Sequence, residues 1–201
     1  MMKIISCEVF KPYIEMLSIE KEVVYIEIEG HDRPMSLSKM IQREIDKSQG
    51  YEKILLLYGL CGNATLSIKA NDIPMYIVRV HDCLSILLGS KDRFYKLFHD
   101  RLSESWSCYS LEKRDYHFDD YDEEEREYLK QILMPQRNVY ITFLKEDEKV
   151  YEEKYKEVIQ GDLSFLKDII DLKSKELLEL NKDERLKYSE KEVIEKERNN
   201  G

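Results

Sequence analysis

Residues Ile54-Leu55-Leu56-Leu57-Tyr58 form an unbroken apolar run that stops at Gly59. A run this short, without polar alternation and closed by a glycine, fits a strand buried on both faces, as in a parallel sheet. Such a strand needs cover on each face, and the rest of the chain supplies matching parts. Lys3–Ser6 is a brief strand ending at Cys7. Glu22–Ile28 is β-branched and aromatic and closes at Gly30-His31. Met75–Val80 runs into His81, and Val139–Leu144 is a fifth strand candidate. Leu37, Met40, Ile41 and Ile45 recur at helical spacing after Pro34. Leu84–Leu88 reads as a helix that breaks at Gly89, and Ser90 is placed to cap another helix holding Phe94, Leu97 and Phe98. Strands alternating with helices predict an α/β, three-layer fold with a mostly parallel sheet of four to five strands.

Beyond Leu144 the pattern reads as helices alone, over about 146–159, 162–171, 174–180 and 189–197, with Gly161-Asp162 as a helix stop followed by a cap. The predicted organisation is an α/β domain over residues 1–172 and a charged helical tail over 173–201. The stretch from about Arg101 to Asp122 reads as an irregular, polar-aromatic lid or docking loop.

Charge follows the same division. Sixteen basic and seventeen acidic side chains precede Asp119, and sixteen basic and twenty-four acidic ones lie from Asp119 onward, so the net charge of −9 sits almost wholly in the later part. An acidic balance without a basic stripe excludes nucleic acid as the main partner. No window approaches the ~20 apolar residues of a membrane-spanning helix. Met1-Met2-Lys3-Ile4-Ile5 lacks the features of a secretory signal. The expected location is cytoplasmic, with no membrane partner. In that compartment the four cysteines are free, metal-bound or redox-active rather than a disulfide framework.

The soft side chains fall where strands end. Cys7 follows the first strand, His31 the second, Cys61 the third, and His81 and Cys83 the fourth. In a parallel sheet all strand C-termini share one edge, and ligands bind in the crevice outside it, near the switch in strand order. Cys7, His31, Cys61, His81 and Cys83 therefore form a candidate ligand set for zinc or another soft transition metal. Taken singly, Cys7 reads as a small buried hydrophobe and His31 as a turn cap beside Asp32. His81-x-Cys83 is not a standard zinc spacing either, so the case rests on joint placement. Asp82 is the candidate base, or the group that orients a ligand.

Two rival readings stand beside the metal. One is a metal-free thiol enzyme using Cys61 or Cys83, with His81 as base and free backbone N–H groups around Cys61 to favour the thiolate. The other is a non-catalytic interaction module whose acidic tail docks a partner. Gly89-Ser90, with Arg93, makes a candidate anion or cofactor cradle at a helix start. An ordinary helix break with a serine cap explains the same residues.

Several segments resemble one family. Ser6-Cys7-Glu8-Val9-Phe10, Gly30-His31-Asp32-Arg33-Pro34, Ile54–Asn63 (ILLLYGLCGN), Arg79–Ser90 (RVHDCLSILLGS) with Arg93, and Gln160–Leu166 (QGDLSFL) carry it. The chain resembles, over roughly residues 3–170, an uncharacterised bacterial and archaeal family catalogued as domain of unknown function 1638. The resemblance implies a shared site at Cys7, His31, Cys61, His81 and Cys83. Members of that family look like partners of corrinoid-dependent methyl-transfer systems. The resemblance thereby implies a corrinoid protein or methyltransferase as partner and a corrinoid as a second candidate cofactor. The chain departs from the family pattern at Ser103–Leu111 and after about Leu172, which leaves the lid and the end of the site outside the resemblance.

Overall fold

The computed structural model describes residues 1–27, 34–61, 63–98, 106–112, 122–125, 139–144 and 154–186. The chain forms two units, one of Met1–Tyr95 with Leu163–Gly201 and one of Lys96–Asp162.

The first unit is built on the apolar run. Strand β3 (Lys53–Leu57) lies between β1 (Met2–Cys7) and β4 (Met75–Val78), parallel to both. Strand β2 (Glu22–Ile26) pairs with the other edge of β1, also in parallel. Ile54 through Tyr58 are fully buried, as a strand covered on both faces requires. Helix α1 (Lys11–Met16) follows β1 after a single 3-10 turn, and α2 (Pro34–Asp46) joins β2 to β3. On α2, Leu37, Ile41 and Ile45 are fully buried at the four-residue spacing that lines up one helical face. Met40, read in the same stripe, is only half-buried. Helices α3 (Cys83–Leu87) and α4 (Lys91–Phe98) follow β4.

A mostly parallel α/β sheet is what the alternation predicted, and its strand count reaches five. The fifth strand is not Val139–Leu144, however. It is β8 (Leu177–Leu180), which pairs antiparallel with β4 through Met75↔Leu180 to Val78↔Leu177. The helix expected over 174–180 is therefore a strand. Leu177, Leu178 and Leu180 satisfy a helical stripe as well as a strand, and the open edge of β4 selects the strand. The sheet order is β2-β1-β3-β4-β8. The chain steps from β1 outward to β2 and returns to place β3 on the other side of β1, so the switch in strand order lies between β1 and β3.

The second unit holds a separate parallel sheet of β5 (Trp106–Cys108), β6 (Val139–Thr142) and β7 (Glu157–Gln160), in that order. Val139–Thr142 is thus a strand, as expected, but it is the buried central strand of this second sheet. The short helix α5 (Tyr109–Glu112) follows β5, so residues 106–112 are regular where an irregular loop was expected. Residues 157–160 are strand rather than the end of a helix. Gly161 does not stop a helix; its N–H donates to the Thr142 carbonyl at 2.7 Å, and a β-carbon there would strike the Phe143 ring. Helix α6 (Ser164–Ile170), in the first unit, matches the helix expected over 162–171. Leu163, not Asp162, is its N-cap residue.

The expected helix at 189–197 and most of 146–159 lie outside the described residues, as do His99 and His117. Among the described residues, no helix is long and apolar enough to cross a membrane.

Candidate functional site

The parallel register brings the ends of β1 and β3 side by side. Ser6 pairs with Leu57, so Cys7 and Tyr58 are the next positions along two neighbouring strands. Both are buried, Cys7 at 1% exposure and Tyr58 at 0%. The chain leaves β3 through Tyr58-Gly59-Leu60-Cys61 and is tied at once to the segment after β4. Leu60 N–H lies 3.1 Å from the carbonyls of both Val80 and His81, and Cys61 N–H donates to His81 at 3.3 Å. The Cys61 amide is therefore occupied, and the free N–H groups expected around this thiol are not there at its own backbone. Cys61 and Asn63 hold φ values of +46° and +65°, a left-handed conformation unusual for non-glycine residues. The Ala64 N–H donates back to the Cys61 carbonyl at 3.3 Å, closing a turn just past β3.

After β4, Asp82 caps α3, its Oδ1 accepting the Ser85 N–H at 3.2 Å. Capping makes Cys83 the first residue of α3 and turns its side chain inward, where it is 4% exposed. The Cys83 sulfur lies 3.9 Å from that of Cys61. Cys7 is a second hydrogen-bonding neighbour of Cys83. Hydrogen bonds with Cys61 and then Cys7, followed by burial, push the Cys83 thiol well above its ordinary value. It keeps its proton at neutral pH. Cys61 alone of the three is half-exposed.

Tyr58 belongs to the same group. Burial, and then the proximity of Cys7, Cys83, Cys61 and Glu8, push its phenol well above the ordinary range. Reading for soft ligands passed over it. The available signal was a polar-tipped aromatic closing an apolar run, in register with a cysteine on the next strand.

The remaining candidates are placed as follows. The His81 ring stacks on Phe94 of α4, with centroids 5.8 Å apart, and its Nδ1 lies 3.5 Å from Asp82 Oδ2. Asp82 therefore serves the α3 cap with one oxygen and faces His81 with the other. His31 lies outside the described residues. Cys108 is buried in β5 of the other unit. At Gly89, Ser90 and Arg93 the structure shows a helix break with a serine cap. Gly89 has φ +89°, Ser90 Oγ accepts the Arg93 N–H at 3.0 Å, and the Arg93 guanidinium donates to the Leu88 carbonyl at 3.0 Å. Among the described residues, no group of three or more His, Cys, Asp or Glu side chains is assembled as a ready metal cage.

A family model described as a protein of unknown function, DUF1638, matches residues 25–169. The chain belongs to that family. The span shared with DUF1638 takes in His31, Cys61, His81 and Cys83, while Cys7 precedes it. Neither the curated proteins nor the solved structures hold a match to this DUF1638 chain.

Proposed function

We propose that this protein binds a soft transition metal, zinc foremost, through Cys7, Cys61 and Cys83 at the C-terminal edge of the parallel strands. The observation that carries the reading is the 3.9 Å separation of the Cys61 and Cys83 sulfurs. Two thiolates on a tetrahedral zinc, each about 2.3 Å from the ion, stand about 3.8 Å apart. The donor chemistry agrees. Buried Cys83 has the thiols of both Cys61 and Cys7 as neighbours, and their proximity opposes its ionisation. A divalent cation offsets that repulsion and displaces the protons.

His81 or His31 supplies the fourth donor in this reading. Asp82, 3.5 Å from His81 Nδ1, orients the imidazole. When bound, the metal would supply Lewis acidity or hold a thiol substrate as its thiolate. The protein's own residues set the surroundings. Tyr58 and the strand ends exclude water from beneath, and half-exposed Cys61 marks the side open to solvent. A place beside a corrinoid-dependent methyl-transfer system, with a corrinoid protein or methyltransferase as partner, rests on the family resemblance. It is compatible with this chemistry, because thiolate–metal sites suit methyl transfer to or from sulfur. The metal-free thiol enzyme is the weaker reading: Cys83 is buried and holds its proton, so Cys61 would have to serve alone.

Elemental analysis of protein purified without a histidine tag is the test. About one equivalent of zinc or a similar ion is expected, lost in the Cys61→Ser, Cys83→Ser double variant. Protein that is metal-free and stays so on titration with zinc under reducing conditions would sink the reading.

A further inference from the structure

The three thiols are not equivalent in access. Cys7 and Cys83 are buried, and Cys61 is half-exposed. A reagent from solvent therefore meets Cys61 first. Directly behind it, at 3.9 Å, stands the sulfur of Cys83. Two sulfurs at that distance need side-chain rotation and a small closure to reach the bonded length of about 2.05 Å. The backbones that carry them are already joined through the His81 carbonyl. An accessible thiol with a buried resolving thiol behind it is the arrangement thiol–disulfide exchange uses.

We propose that Cys61 and Cys83 form a reversible disulfide that disables the thiol cluster, with a low-molecular-weight disulfide of the glutathione type as oxidant. In the first step the Cys61 sulfur attacks one sulfur of the oxidant. The oxidant's S–S bond breaks, one thiol departs with the proton from Cys61, and Cys61 carries a mixed disulfide. In the second step Cys61 is no longer a thiol, so the hydrogen bond that most opposes ionisation of Cys83 is gone. Cys83 gives up its proton, its sulfur attacks the Cys61 sulfur, and the second small thiol departs with that proton. Two protein thiols are oxidised to one disulfide, and one small disulfide is reduced to two thiols. Cys7 hydrogen-bonds Cys83 but is itself buried, so it has no route to the first step. The chemistry of the pair does not depend on metal. Its consequence does rest on the proposed metal site, because oxidation removes two of the three sulfur donors.

The test is oxidation of the full chain by excess oxidised glutathione without oxygen, followed by alkylation of the remaining thiols and peptide mapping by mass spectrometry. The metal-free protein is expected to lose two alkylatable thiols and to yield a peptide cross-linked between Cys61 and Cys83. Cys7→Ser forms the same link. Cys83→Ala, and Cys83→Ser as a second variant, stop at a glutathione adduct on Cys61. Cys61→Ser stays fully reduced. A Cys7–Cys83 link in the wild type, a Cys61 adduct that persists there, or no reaction at all overturns the proposal. In zinc-loaded protein, one zinc should be released per disulfide formed. Failure of the reduced protein to take zinc removes the metal reading and leaves the disulfide result standing, so the two fail separately.

Discussion

The loop after β3 passes so close to the start of α3 that a β-carbon on Gly59 would stand 2.7 Å from the Asp82 α-carbon. This contact is backbone against backbone, so no side chain can swing aside to relieve it. It is also what brings Cys61 and Cys83 within reach of each other across two separate strand exits. Gly59→Ala should therefore force the two segments apart, at about 1–3 kcal/mol, the usual cost of overpacking. The expected result is a lower thermal midpoint and slower formation of the Cys61–Cys83 disulfide. A variant that melts with the wild type and cross-links as readily would show that the approach is not rigid.

Asp82 carries a structural task that its neighbours do not share. Its Oδ1 caps α3 by accepting the Ser85 N–H. Asparagine caps about as well as aspartate, while alanine loses about 1 kcal/mol. Urea unfolding should place Asp82→Asn within a few tenths of a kcal/mol of the wild type and Asp82→Ala about 1 kcal/mol below it. Equal loss in both variants would mean that the negative charge matters beyond the cap. The His81 imidazole 3.5 Å away would then be the partner to examine.

Part of this arrangement is legible in the sequence, and for a definite reason. Parallel strands send their C-termini to one edge, which makes residues as distant in sequence as Cys7, His31, Cys61, His81 and Cys83 candidates for one neighbourhood, and Cys7 and Cys61 do stand beside Cys83. What followed from side-chain contact was not readable. Asp82 as a cap, the Cys61 amide engaged by His81, and Tyr58 in the thiol cluster all depend on the path taken after the strand ends. Strand β8 was hidden for another reason. Leucine, glutamate and lysine dominate Ser174–Lys182, and that composition favours a helix when considered alone. The unpaired edge of β4 overrides local preference, an influence that acts across about a hundred residues of chain.

The pairing of β8 gives a third expectation. Deletion of residues 173–201 would serve as a clean test of a docking tail only if that segment were dispensable. Instead it contributes the edge strand against β4, the Glu176 carbonyl that accepts Arg79 N–H at 2.8 Å, and the Glu184 carbonyl that accepts Ala70 N–H at 3.0 Å. Truncation after Leu172 strips all of these and bares the edge of β4. The loss should be on the order of 3 kcal/mol or more, seen as a fall in soluble yield and in thermal midpoint. A truncated chain as stable as the full one would mean that β8 adds nothing to the first unit.

The second unit offers a pH-dependent test, because three donors gather on the Glu112 carboxylate. Ser107 donates to Glu112 at 3.0 Å, and Lys154 and Tyr155 also donate to the carboxylate. Burial pushes the Glu112 carboxyl up, but these three hydrogen bonds and the lysine's charge outweigh it and hold the group below its ordinary value. An unfolded glutamate titrates at about 4.3. With the folded value lower, the stabilisation is fully present above that pH and drains away as pH falls through the folded value. Trp106, the single tryptophan, stands in β5 beside Ser107 and reports unfolding of this unit. Chemical unfolding followed by its emission should find Glu112→Gln less stable than the wild type at neutral pH. The two should converge as pH drops below about 4. A gap that stays constant from neutral to acid conditions would assign the loss to packing around residue 112 rather than to its charge.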